Sequence, residues 1–225
     1  AIARRAVHEI KKGQIVNIGI GIPELVAEEV LERNMLEDVH LSVESGHTGG
    51  FPLGGQAFGV AIGPDSMMDM ARQFDFYEGG GLDLCFIGAL EVDGKGNVNG
   101  HYTRGKLTGI GGFANISQTT KKVVFCMTFT SHGIEGSFDG QSVNITKEGE
   151  IHKFVDSVGS FSFSVKNAYA NNQEILYVTE RCVFRLGENG LVLSEIAPGV
   201  DLKKQVLELL PFDVEIAPDL KLMEF

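Results

Sequence analysis

Apolar residues fall into two kinds of run along this chain. Short, continuous, β-branched runs read as strands buried on both faces. They cover residues 14–20, 39–43, 82–87 and 121–129, the last with a polar entry. Three more follow at 175–179, 183–186 and 191–194, with Asn189-Gly190 marking the turn between the last two. Residues 92–98 carry a hairpin signal, Asp93-Gly94-Lys95-Gly96-Asn97. Between the strands the spacing turns helical. Residues 1–10 predict an amphipathic helix, and Pro23 is a good first helical position for a helix reaching about Asn34, a plausible C-terminal cap. Asp65 opens a short helix through Arg72, and the glycine-rich stretch 46–63 reads as loop. Asp201 caps a closing helix with Leu202, Val206, Leu209 and Leu210 on one face.

This order predicts an α/β fold: an open, mainly parallel sheet flanked by helices, with a β-rich insert. The 225 residues are 43% hydrophobic and 22% charged, which suits one domain over 1–225 with a sizeable core. No apolar run is long enough for a membrane span, and the N-terminus lacks the apolar centre of a signal peptide. Cys85, Cys126 and Cys182 are odd in number, widely spaced and set in apolar runs, so reduced core thiols and a cytoplasmic location are expected. The chain begins without Met, which suggests a piece of a longer product. A net charge of -11 argues against nucleic acid as partner. A small phosphorylated ligand needs only a local patch, for which Arg104, Lys106, Lys121 and Lys122 are candidates, although such side chains are commonly just solvated.

In open α/β sheets ligands bind beyond the carboxyl ends of the strands. Glu44 stands there, closing the run 39–43 and opening the glycine-rich stretch. Two further glycine runs, Gly19-Ile20-Gly21-Ile22-Pro23 and Gly109-Ile110-Gly111-Gly112-Phe113, can aim backbone N–H groups at a negative oxygen. Any one of them is also explained by tight turns. The last run matches the dinucleotide fingerprint loosely, but neither a buried strand before it nor a helix after it is expected; in the first, Glu24 occupies the third glycine position. The six histidines form no metal-ligand spacing, and His47 reads as a loop residue, an acid–base group or a ligand. Ser45 lacks the strained elbow of a serine hydrolase, and no second acid stands in a context like that of Glu44. From the residues alone Glu44 is either a buried structural acid or a nucleophile able to attack an activated acyl group.

The motifs Asn17-Ile18-Gly19-Ile20-Gly21-Ile22-Pro23, Val43-Glu44-Ser45-Gly46, Gly79-Gly80-Gly81-Leu82-Asp83, Gly88-Ala89-Leu90-Glu91-Val92-Asp93 and Gly96-Asn97-Val98-Asn99 follow in this order. Gly109–Phe113, Ala197-Pro198-Gly199-Val200-Asp201 and Ala217-Pro218-Asp219-Leu220-Lys221-Leu222-Met223 continue the series. Together they resemble the second half, or β subunit, of family I CoA-transferases, in particular the single-chain acetate or propionate branch. The resemblance implies the CoA-transferase, ribose-isomerase-like α/β fold. It implies ping-pong exchange through a glutamyl-CoA thioester at Glu44, with oxyanion donors at Ile20, Gly111 and Gly112. Gly19, Gly21, Gly46, Gly49, Gly50 and Gly109 are then the expected substrate- and CoA-binding positions. The implied partners are a short-chain acyl-CoA, a free carboxylate and the missing first half or α subunit, within a homo-oligomer. No metal or redox cofactor is implied; coenzyme A is substrate. Some members carry Ser-Glu-Asn-Gly where this chain has Val43-Glu44-Ser45-Gly46. An acyl-CoA hydrolase using the same glutamate and a non-catalytic sugar-phosphate sensor of the same fold are the alternatives.

Overall fold

The structure is a computed structural model that describes residues 1–103 and 105–225. Its frame is a ten-stranded sheet. In chain order the strands are β1 Ile15–Ile18, β2 His40–Ser42, β3 His47–Thr48, β4 Ser66–Met67, β5 Leu84–Gly88, β6 Lys122–Cys126, β7 Glu174–Val178, β8 Cys182–Gly187, β9 Gly190–Ile196 and β10 Glu215–Leu222. In space they run β10-β9-β8-β7-β6-β5-β1-β2-β3-β4. The five central strands, β7 to β2, are parallel, with Asn17 beside Ser42 and Cys85, and Val124 beside Phe86 and Leu176. Antiparallel strands extend this centre on both sides, although β9 and β10 pair parallel, so the sheet is mixed, with a parallel centre.

The continuous apolar runs are explained by the two faces of these central strands. Val16, Ile18, Leu84, Phe86, Val124, Cys126 and Val178 bury on one face, under α1 (Ile2–Ala6) and α2 (Glu24–Glu32). Cys85, Ile87, Val123, Phe125, Ile175 and Tyr177 bury on the other, with Tyr77, Ile116 and Ala168. Alternate residues therefore point to opposite cores, and neither set can be polar without cost. Asn17 and Ser42 are the exceptions, both fully buried. Arg5 ties α1 to β9 through two 2.6 Å bonds to Glu195, and also bonds Glu9.

Several expected elements are displaced. The stretch 46–63 is not all loop: β3, Phe51–Pro52 and Ala61–Ile62 form short antiparallel pairs. The helix expected from Asp65 begins later, as α3 (Met70–Phe76), where Asp69 accepts from the Arg72 N–H. A helix, α4 (Phe113–Thr119), does follow the third glycine run, contrary to the reading of Asn115-Ile116-Ser117. The strand before that run, Lys106–Leu107, is exposed, so the dinucleotide pattern still lacks its buried strand. After α5 (Val165–Ala170), the closing helix shrinks to one turn, α6 (Leu202–Gln205). Val206, with φ -129 and ψ -68, breaks it before a 3-10 turn at Leu207–Leu209. The β-rich insert consists of small sheets over 130–155. No helix among the described residues is long and apolar enough to cross a membrane.

Candidate active site

The carboxyl ends of β2, β1, β5 and β6 lie side by side, and a cleft of about 560 Å³ opens there. Glu44 lines it, with Gly19, Ile20, Gly21, Gly88, Ala89, Gly109, Ile110, Gly111 and Gly112. Glu44 is placed by a tight turn between β2 and β3, where Val43 and His47 exchange a bond and the Gly46 N–H reaches Val43 O. Gly46 is required because its φ is +118° and a Cβ would lie 1.9 Å from the Met68 carbonyl oxygen. Gly49 and Gly50 are equally crowded, by Asp65 and by the 62–63 backbone. These three glycines are not among the residues that line the cleft. They shape the turn from behind.

The Glu44 carboxyl is part-buried and has no side-chain partner among the described residues. Burial pushes its pKa up, opposed only by its own backbone N–H. Beneath it runs a polar network in which Asn17 Oδ1 and Gln73 Oε1 stay unpartnered. Asn17 Nδ2 donates to Ser42 O and to the Tyr77 hydroxyl, both at 3.3 Å. Ser42 Oγ lies 2.6 Å from that hydroxyl and accepts from Gln73 Nε2 at 2.8 Å. Burial raises the Tyr77 pKa, and the charge of Glu44 adds to the shift, so Tyr77 stays a neutral phenol close to the carboxylate. Asn17 Oδ1, by contrast, is buried without a partner. A lone asparagine inside the apolar run 14–20 was the sequence signal for this network.

The glycine runs differ in what they offer. The Gly19 N–H is spent on Phe86 O at 2.9 Å. The Gly21 N–H is spent too, on Glu24 Oε1 at 2.7 Å, and the other oxygen of Glu24 takes the Gly55 N–H. The expectation of several free N–H groups at this turn is therefore corrected: Glu24, three residues on, folds back over it as in a capping box. The Ile20 N–H has no acceptor among the described residues. Neither have the N–H groups of Gly111 and Gly112. Gly111 has φ +52 and Gly112 φ -79, an alternation that turns successive N–H groups toward one point.

Other expected groups lie elsewhere. Lys121 and Lys122 stand at the entry of β6, the opposite end from the cleft, paired with Asp83 and with Glu9 and Glu174. Neither lines the cleft. Lys106 is exposed on a hairpin, and Arg104 falls outside the described residues. His47 contacts Ser45, whose hydroxyl is held by Gly59 O. Lys153 lines the cleft and was missed from sequence: it lies in a polar stretch with no motif, brought in beside Leu90 by the Phe154–Val155 strand. Among the described residues no group of His, Cys, Asp or Glu could hold a metal ion. An apolar hollow of about 520 Å³ beside α1 and α2 contains neither Glu44 nor the glycine N–H groups.

Comparison with known proteins agrees with this geometry. The family model described as coenzyme A transferase matches residues 1–206. Acetate CoA-transferase YdiF of Escherichia coli K12 is 43% identical over 223 residues, covering 99% of this chain and 42% of that protein. The acetate CoA-transferase β subunit of the same organism is 30% identical over 215 residues, covering 89% and 86%. A crystal structure of acyl-CoA transferase YdiF from E. coli O157:H7, a thioester complex with CoA, superposes with a TM-score of 0.93 at 42% identity, over 99% of this chain and 42% of that one. The chain thus spans less than half the length of YdiF but nearly all of a β subunit. With the family model covering most of its length, this chain belongs to the coenzyme A transferase family, on its β-subunit side.

Proposed function

We propose that this chain supplies the nucleophilic half of a short-chain acyl-CoA transferase, with Glu44 as the nucleophile. The observation that carries the reading is the partnerless, desolvated carboxylate of Glu44 in a cleft shared with the unspent N–H groups of Ile20, Gly111 and Gly112. A Glu44 oxygen attacks the thioester carbonyl, the C–S bond breaks, and CoA thiolate leaves an acyl-glutamyl anhydride. The thiolate then attacks the glutamyl carbonyl, releasing the first acid and leaving a glutamyl-CoA thioester. An acceptor carboxylate runs the same two steps in reverse. No proton is consumed, so a lone carboxylate is sufficient. The N–H groups receive the charge of each tetrahedral species. That a relative 42% identical was solved as a thioester complex with CoA supports the covalent route.

The donors fitting this reading are acetyl-, propionyl- or acetoacetyl-CoA, with no cofactor beyond CoA as substrate. The working enzyme is a cytoplasmic oligomer in which a first half or α subunit completes the cleft. The test is acceptor dependence. With acetyl-CoA and propionate, the completed enzyme should give ping-pong kinetics, and Glu44→Gln should lower turnover by about 10³-fold or more. Acetyl-CoA loss at the same rate with and without propionate would replace transfer by hydrolysis through the same residue. Full activity in Glu44→Gln would remove Glu44 from the mechanism.

A further inference from the structure

Glu44 and Lys153 are the one carboxylate and the one ammonium lining the cleft among the described residues. They do not pair. Glu44 follows β2, the Ile20 N–H follows β1, and Lys153 Nζ donates to the carbonyl of Ala89, just beyond β5, at 2.9 Å. The three groups therefore sit on adjacent strand ends. Ala89 lies two strand spacings from Glu44, about 10 Å.

Lys153 is also incompletely satisfied. It makes no ion pair among the described residues, and its hydrogen bond to Ala89 uses one of three donors. The acid whose charge acts on it, Glu180, is already bonded to Arg181 and to the Phe129 N–H. Burial pushes the ammonium pKa down, with Glu180 opposing the shift. The cleft wall it shares includes the apolar residues Ile87, Leu90, Phe113 and Ile116, beside Asn17, Thr108 and glycine backbone. An ammonium on such a wall is costly unless a ligand brings it a compensating oxygen. CoA is a poor source of that oxygen. Its phosphates lie a whole pantetheine arm away from the thiol, and its first amide carbonyl lies beyond the two cysteamine methylenes, farther from the reacting carbon than an oxygen on the acyl tail. The acyl tail is closer: for attack by Glu44 with the Ile20 N–H as oxyanion donor, its carbonyl carbon would lie between those two groups, about one strand spacing from Ala89.

We infer that Lys153 is a specificity-determining residue, whose ammonium receives a second oxygen function, a keto group or a carboxylate, on the tail of the reacting acid. This rests on the transferase reading of Glu44 and gives its four-carbon acids a preference for those that are polar at both ends. A plain alkyl tail would cover the ammonium without compensating it.

Three four-carbon acceptors that differ only in tail chemistry test this: butyrate, acetoacetate and succinate, each with acetyl-CoA as donor in the full-length enzyme. Lys153→Met should lower kcat/KM for acetoacetate and succinate by about 10- to 100-fold relative to butyrate. Lys153→Arg should keep most of the preference. Should the Met variant not fold, Lys153→Gln, which can keep the Ala89 bond without the charge, serves in its place. An equal fall for all three acids, or an unchanged ratio, overturns the inference. Mapping the CoA adduct on Glu44 in the same samples separates the two levels. An adduct with an unchanged ratio refutes the role of Lys153 alone, whereas no adduct in the wild-type enzyme refutes the transferase reading and this inference with it.

Discussion

Glu44 combines two properties that its sequence neighbours show only in part. Its place at the end of a buried run, next to glycines, was legible. Its lack of a partner was not, because that depends on every residue folded around it. The raised pKa has a consequence for stability. Well below the ordinary carboxylate range Glu44 is protonated in both folded and unfolded chains and costs nothing. As pH rises through that range the unfolded chain ionises first, so the native state loses stability relative to it. Glu44→Gln should therefore raise Tm at pH 7 and leave it unchanged below about pH 4. Thermal unfolding at both pH values checks this; a Tm loss at pH 7 would mean that the carboxylate is held by a favourable partner, and an equal gain at both would mean that its ionisation is not what costs stability. Lys153 was illegible for the converse reason. Its sequence neighbours carry no motif, and only the pairing of Phe154–Val155 with Glu91–Asp93 brings it to the cleft.

At the scale of elements, the central strands were readable because both their faces are buried and leave no room for polar residues except Asn17 and Ser42. The two-residue strands of 46–67 were not, since an alternation needs more positions than they have. The strand Glu215–Leu222 was missed because it is an edge strand, carries Pro218 and is mostly exposed. Glycine runs look alike in sequence yet separate into two kinds in the fold. Gly46 has no room for a side chain, whereas at Gly111 a Cβ would meet nothing within 4 Å and only the backbone angle is demanding. Gly46→Ala should therefore cost about 3 kcal/mol or more, through steric conflict added to strain. Gly111→Ala should cost about 1 kcal/mol in stability but lower turnover about 10- to 100-fold by re-aiming the N–H groups. Urea unfolding and steady-state rates on both variants decide this; a reversed order, with Gly111→Ala the less stable and fully active, would assign Gly111 to the scaffold. Glu24 shows how such a distinction can be anticipated. A glutamate three residues after Gly21 is a capping signal, and it spends the N–H that the glycine spacing alone offers to a ligand.

For the molecule as a whole, the sheet gathers on one edge the groups the proposed reaction uses: Glu44 after β2, unspent N–H groups after β1 and before α4, and Lys153 beside β5. The chain spans 42% of the length of YdiF, and the proposed reaction assigns the rest of the cleft to a companion half. The net charge of -11 agrees with a site that handles CoA by its thiol end, leaving the phosphates to solvent or to a companion half. The central claim is that Glu44 becomes covalently bonded to CoA. The most direct measurement is peptide mass mapping of the completed enzyme after incubation with acetyl-CoA and no acceptor. The expected result is CoA on the peptide containing Glu44, sensitive to borohydride and absent in Glu44→Gln. An active enzyme that carries no adduct, or carries it on another residue, would contradict it.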